Sequence, residues 1–460
     1  MPLRRAQLSV KFTLDRLRAQ TKELSDQRYP GDHQGPRKWL ALVEGLLDTA
    51  DEYLQASSDT QITDEKALTL ARDAANIASN VYTCLDFMSG ASIDELPYQV
   101  VQPLQRWFNL LEIDKETLFR AELVANYELR TIENVFKRIR NPSEKLEEAI
   151  NEIKWPIIRV TVPSRAFGIL PHFAIVAHEI GHALFSRINW DVSSFTEEYN
   201  NLLQRISTRL DDAQLDSNIK TKVLFIFYKW FEELAADAFA FFLTGPAIFF
   251  SSSGFFQLLG GDYGISDTHP SHDLRRKILF DKLIEGDSDS FAAVFTKYTG
   301  HQLTVDYNSP LMIQTPSTDD VFSDKSKRYD TSIAAILAEM HLSIADTVEI
   351  IYGEVEKYLK THANDAIYTT KQYRTDLEEH LDAMLSAIPP IENGDSLKSK
   401  QPTEFASILN VGWTTLLAKL PDLRVKVDDN VFGSEKLEKL HGLLLKAVEL
   451  SEARREWMNA

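Results

Sequence analysis

The chain has 460 residues, 44% hydrophobic and 26% charged, close to the average for folded globular proteins and far from a disordered or fibrous composition. At about 100–200 residues per domain, that length suits two or three domains. Asp and Glu outnumber Lys and Arg by 68 to 50, a formal net charge of −18 that repels phosphate backbones and anionic lipid and excludes nucleic acid as the expected partner.

The first twenty residues carry arginines but no apolar run of signal-peptide length, and Lys11 and Asp15 interrupt them, so a cytoplasmic protein is expected. From Ala6 to about Lys154 apolar residues recur at helical spacing, as in Trp39, Leu40, Val43, Leu46 and Leu47, with a break at Gly31–Pro36. Residues 1–154 therefore read as a helical N-terminal region. Cys84, the single cysteine, falls at a helix-core position; it can form no internal disulfide and fits a reducing compartment. Ile157, Ile158, Val160, Thr161 and Val162, bracketed by Pro156 and Pro163, read as a strand.

Pro171 opens a helix that runs to about Ile188, and further helices are expected at about 193–210 and 217–243. The stretch Ala238–Gly261 has no charge and is long enough to cross a bilayer. Gly245-Pro246, three consecutive serines from Ser251, Gln257 and the lack of flanking basic anchors argue instead for a buried helix-turn-helix or a pocket wall, with no membrane span. Residues 303–330 are rich in Ser, Thr, Asp and Pro and read as a linker or long loop. Helical spacing resumes over 331–387, breaks at Ile388–Pro402, and returns at about 403–420 and 434–458. The expected fold is mainly α (α+β): a core over 155–302 with a small β-sheet, flanked by helical regions at 1–154 and 331–460.

The chemistry concentrates in three segments. In VAHEIGHAL, His178 and His182 are four apart on an apolar helix, so they share a face and their imidazoles can converge on one ion. Glu179, rotated about 100° from His178, reaches beside that ion without ligating it, the arrangement of an HExxH zinc peptidase. Burying His-Glu-His among Ile175, Val176, Ala177, Ile180, Ala183 and Leu184 would be costly without a metal or partners. A catalytic zinc needs a third protein ligand. The segment WFEELAADAFAFF supplies Glu233 and Asp237, again four apart; one carboxylate can bind zinc and the other can orient a zinc-bound histidine. Glu232 competes with Glu233 for the ligand role but turns to a different face from Asp237, so Glu233 is preferred. Gly181, between the histidines, weakens the helix and points to a close neighbour, either the Glu233 helix or a substrate backbone. The third segment, SDTHPSHDLRRK, places His269, His272 and Arg275 after the metal segments, with Asp267 and Asp273 near enough to orient an imidazole.

HEIGH, EELAAD and THPSHDLR in this order resemble the gluzincin metallopeptidases, most closely the HtpX and CAAX prenyl protease family, over about Val162–Lys277. The resemblance implies a gluzincin-type zinc-peptidase core with one Zn²⁺ per chain held by His178, His182 and Glu233. It makes Glu179 the general base, Asp237 the supporting carboxylate, and His269 with Arg275 the downstream active-site pair.

The expected activity is hydrolysis of peptide bonds in proteins or peptides by a zinc metallopeptidase. Glu179 serves as general base, and His269 donates to the oxyanion while Arg275 shares that role or braces the loop. Strand Ile157–Val162 is a candidate for pairing with an extended substrate at a sheet edge, or else a plain core strand. The aromatic run Phe239–Phe256 reads as core packing ahead of a side-chain pocket. The flanking helices suggest a gate and a regulatory partner. A rival reading is a catalytically silent, zinc-stabilised scaffold whose helical regions bind partners; the intact Glu179 argues against it, because a structural site needs no general base.

Overall fold

The computed structural model of the chain describes residues 2–29, 35–59, 61–92, 96, 98–113, 117–122, 128–132, 136, 139–155, 157–163, 170–185, 187–188, 204–208, 211, 217–258, 269–303, 336–338, 340–341, 343–393, 401–424 and 434–459. They are mainly helical. The chain divides into two units, Met1–Gly168 and Ile169–Ala460. The strand region assigned from sequence to the 155–302 core thus lies in the first unit, and the 331–460 region lies in the second.

In the first unit, α1 (Pro2–Ser25), α2 (Gly35–Ala56) and α3 (Asp64–Ser89) turn their apolar stripes onto one core that includes Leu14, Trp39, Leu46, Val81 and Leu85. Thr63 caps α3 by accepting from the Lys66 amide. Cys84 is buried in this core and burial pushes its thiol up to about 12; its carbonyl accepts from Trp39 Nε1 at 3.2 Å. After α4 (Tyr98–Leu110) come β1 (Thr117–Glu122), β2 (Glu128–Ile132), α5 (Glu144–Glu152) and β3 (Ile157–Pro163). The all-helical reading of 1–154 therefore missed two strands, each short and interrupted by charge.

The sheet order is β1-β3-β2, with β3 parallel to β1 and antiparallel to β2. Ile157, Ile158, Val160, Thr161 and Val162 are all buried, as a middle strand requires. Ile158–Thr161 are paired on both sides, so of the two readings of this strand its middle segment takes the core place and offers an extended substrate no free edge.

The second unit begins with a 3-10 turn, Leu170–Ala174, which holds the Pro171 expected in an α-helix, and continues as α6 (Ile175–Phe185). The next helix is α7 (Ser217–Thr244). The helix expected at 193–210 falls largely outside the described residues. Gly245 then takes φ +55°, and a Cβ there would stand 2.5 Å from the Tyr368 ring; this sharp turn leads into α8 (Pro246–Leu258), opened by a proline at its first position. The uncharged stretch is thus a helix-turn-helix as far as Leu258, mostly buried through Ser252. Phe239, Phe241, Phe249 and Phe250 are buried in the core. Among the described residues no helix is long and apolar enough to cross a membrane.

The chain continues through α9 (His272–Ile284) and α10 (Phe291–Thr299); the expected linker at 303–330 lies outside the described residues beyond 303. Next are α11 (Val348–His362) and α12 (Thr370–Leu385), then a short ladder of β4 (Glu392–Asn393) and β5 (Gln401–Pro402) inside the break read as irregular. The helix expected at 403–420 is α13 (Phe405–Thr414), continued by a π-helical turn at Thr415–Lys419, and the last is α14 (Ser434–Asn459).

These late helices brace the entry to α6 and the end of α7. Trp413 Nε1 donates to the Pro171 carbonyl at 2.8 Å, Asn410 Nδ2 to the Thr244 carbonyl at 2.8 Å, and the Leu170 amide to His441 Nδ1 at 3.0 Å. Each gives a backbone group at these helix ends a hydrogen-bond partner, and the Pro171 carbonyl also accepts from Ser251 Oγ at 2.9 Å.

Candidate metal centre

Helices α6 and α7 meet at Gly181. A Cβ at this position would lie 2.7 Å from Ala236 Cα and 3.0 Å from its carbonyl oxygen, so the expected close neighbour is the Glu233 helix. Only a residue without a side chain lets the two backbones approach this far. Gly181→Ala is expected to lower the stability of the second unit by about 2 kcal/mol, the overpacking penalty exceeding the gain in helix propensity, and to weaken metal retention. Thermal unfolding and metal analysis check both effects; an unchanged melting temperature would mean that the helices can part at no cost.

That approach brings the ligand candidates together. His178 Nε2 and His182 Nε2 stand 3.2 Å apart; Glu233 Oε2 is 3.3 Å from His178 Nε2, and Glu233 Oε1 is 3.3 Å from His182 Nε2. Ligand atoms about 2.1 Å from a tetrahedral ion stand roughly 3.4 Å apart, so these spacings suit one small cation. Glu233 Oε2 is buried and, although 3.1 Å from Arg275 Nη1, receives no aligned hydrogen bond among the described residues. His178, His182 and Glu233 together could hold a metal ion.

Asp237, one turn after Glu233, lies beside His178, its Oδ1 2.8 Å from Nδ1. Donation from Nδ1 leaves Nε2 free to ligate. Arg275 is buried and forks onto Asp237, with Nε to Oδ2 and Nη2 to Oδ1 both at 2.7 Å. The guanidinium faces the carboxylates of Asp237 and Glu233, a different role from the two expected of it, sharing the oxyanion role or bracing the loop. His269 Nε2 lies 3.4 Å from Glu233 Oε1, and its side chain is 45% exposed, so it borders the ligands from an accessible side. Of the two residues expected to orient it, Asp267 lies outside the described residues, and Asp273 pairs with Arg276 at 3.6 Å. His272 begins α9, which Ser271 caps through the Leu274 amide. Glu179 is half-buried on α6, near enough to help raise the pKa of both His182 and Arg275.

The helical-wheel argument from sequence prefers Glu233 to Glu232, yet Glu232 Oε1 lies 3.2 Å from His182 Nδ1. The wheel compared Glu232 with Asp237, whereas the relevant partner is the second imidazole, one turn along α6 from the first.

The charges are unbalanced. Among the described residues, carboxylates of Glu179, Glu232, Glu233 and Asp237 surround two imidazoles, with Arg275 and Lys229 as the fixed cations in contact with them. Burial pulls the His182 imidazole down, but Glu232, Glu233 and Glu179 more than reverse it, to about 10. Burial pulls His178 down as well, and Asp237 and Glu233 outweigh it. Burial pushes the two carboxyls up, yet Arg275 and the imidazoles hold Glu233 well below its ordinary range and Asp237 at about 2. A pocket of this kind retains positive charge, as protons on the imidazoles or as a metal ion bound by neutral rings. Comparison with protein-family models, curated proteins and solved structures finds no match for this chain.

Proposed function

We propose that the chain is a zinc-dependent endopeptidase of gluzincin type that hydrolyses peptide bonds in proteins or peptides. The observation that carries this reading is the triangle of His178, His182 and Glu233, whose atoms are spaced for one tetrahedral ion, with Glu179 on the same helix. Two imidazoles and one carboxylate are a donor set suited to catalytic zinc, and the fourth position is left for water. Zinc bound there would polarise the scissile carbonyl and lower the pKa of its water to about 7.

The chain's own groups do the rest. Glu179 takes a proton from the attacking water as its oxygen bonds to the carbonyl carbon, then delivers that proton to the leaving nitrogen as the C–N bond breaks. His269, on the accessible side of Glu233, donates to the developing oxyanion. Asp237 and Arg275 act at one remove: the carboxylate holds the His178 tautomer and the guanidinium holds the carboxylate.

Purified protein is expected to carry close to one zinc per chain, falling strongly in His182→Ala and Glu233→Ala. The wild type is expected to cleave an unfolded protein such as reduced casein, to stop when a chelator removes the metal, and to resume when zinc is restored. Cleavage that survives complete metal removal would sink the reading. Full zinc retention in Glu233→Ala would move the third-ligand role elsewhere, first to His269.

A further inference from the structure

A histidine that ligates through Nε2 must carry its proton on Nδ1, and an acceptor for that proton fixes both the tautomer and the ring orientation. His178 has Asp237 in this place, and His182 stands on the same helix one turn later with the same need. The residue in position is Glu232. Its Oε1 lies 3.2 Å from His182 Nδ1, and its Oε2 accepts from Lys229 Nζ at 2.7 Å, three residues earlier on α7. The Glu232 side chain is 16% exposed and that of Lys229 35% exposed, so the pair closes the outer edge of the cluster, whereas Asp237 and Arg275 close its buried side. Consecutive residues on one helix therefore divide the work: Glu233 faces the ligand atoms, and Glu232 reaches around to the far side of one imidazole.

We propose that Glu232, held by Lys229, is the positioning residue of His182, accepting its Nδ1–H so that Nε2 stays turned toward Glu233 and His178. The proposal rests on the metal-site reading above and goes beyond it by giving each histidine its own carboxylate and each carboxylate its own cation. The two supports differ in kind. A bidentate guanidinium fixes the plane of Asp237, whereas a single ammonium leaves Glu232 free to pivot. The His182 side is thus the looser one, and the ring most easily lost from the metal.

The test reads zinc binding rather than turnover. Zinc affinity and zinc release are measured by competition with a chromophoric chelator for the full-length wild type and for Glu232→Leu, Glu232→Gln, Lys229→Met and the Lys229→Met/Glu232→Leu pair. Glu232→Leu is expected to bind zinc about 10–100-fold more weakly and to release it faster, the usual effect of removing such an outer partner. Glu232→Gln, whose amide oxygen still accepts from Nδ1–H, is expected to recover most of the loss. Lys229→Met should have a smaller effect that disappears in the double variant, because the lysine acts through the glutamate. Glu232→Ala serves in place of Glu232→Leu if the latter does not fold. Zinc affinity within twofold of wild type in Glu232→Leu would overturn the proposal, as would equal losses in the Leu and Gln variants. If the wild type itself binds no zinc, the metal reading falls and takes the proposal with it; if the wild type binds zinc and Glu232→Leu binds it equally well, the proposal falls alone.

Discussion

Arg275→Met is expected to destabilise the second unit by about 3–5 kcal/mol, the usual result of removing one partner from a buried ion pair. Arg275 is 5% exposed and sits between two buried carboxylates, making both of its 2.7 Å contacts to Asp237 and a 3.1 Å contact to Glu233. Methionine fills much of the volume but supplies no charge, so both carboxylates would lose their fixed cation and depend on the imidazoles or a metal. Thermal unfolding should show a melting temperature lower by roughly 10 °C, given about 2–4 °C per kcal/mol for a unit approaching this size. The pH dependence should change as well. Asp237 is held at about 2, below its ordinary 3.8, so its share of stability is complete above the unfolded value and is lost only as pH falls through about 2. In Arg275→Met that loss is expected to begin at a higher pH. A variant that melts like wild type at neutral pH and in acid would show that the guanidinium is not holding the carboxylates.

Glu179→Gln should have the largest effect on chemistry. On the proposed mechanism the substitution keeps the shape and removes the proton acceptor without altering a ligand, so zinc content is expected to match wild type while turnover falls by about 10²–10⁴-fold, the usual contribution of a general base. Single-turnover cleavage of a substrate the wild type cuts, alongside metal analysis, checks both halves. Equal turnover would end the general-base role. Lost zinc would instead place Glu179 among the groups that hold the metal.

Much of the centre was legible in the sequence because its logic is local. Spacing of four residues puts His178 and His182 on one face, and the same spacing relates Glu233 to Asp237. Gly181 signalled a helix crossing by the cost of having it there. What the sequence concealed depends on contacts between distant segments. Glu232 contacts His182 because of how α6 crosses α7, which no helical wheel of α7 alone contains. Strand β1 pairs with β3 some forty residues later, and TLFRAE has too little periodicity to declare itself without that partner. β3 was readable from its β-branched run, but its middle place, with Ile158–Thr161 paired on both sides, was not. The 331–460 region reads from its spacing only as a flanking helical region, whereas the hydrogen bonds of Asn410, Trp413 and His441 tie it to the elements around α6 and α7.

The burial of Cys84 has a practical use. A thiol pushed up to about 12 in a closed core presents almost no thiolate at neutral pH, so alkylating and spin-label reagents should leave the native protein unmodified. A cysteine placed at any exposed position would then be the sole reactive thiol in the folded chain. The natural sequence is thus already a single-label background for fluorescence or paramagnetic measurements, with no need to replace a core residue first.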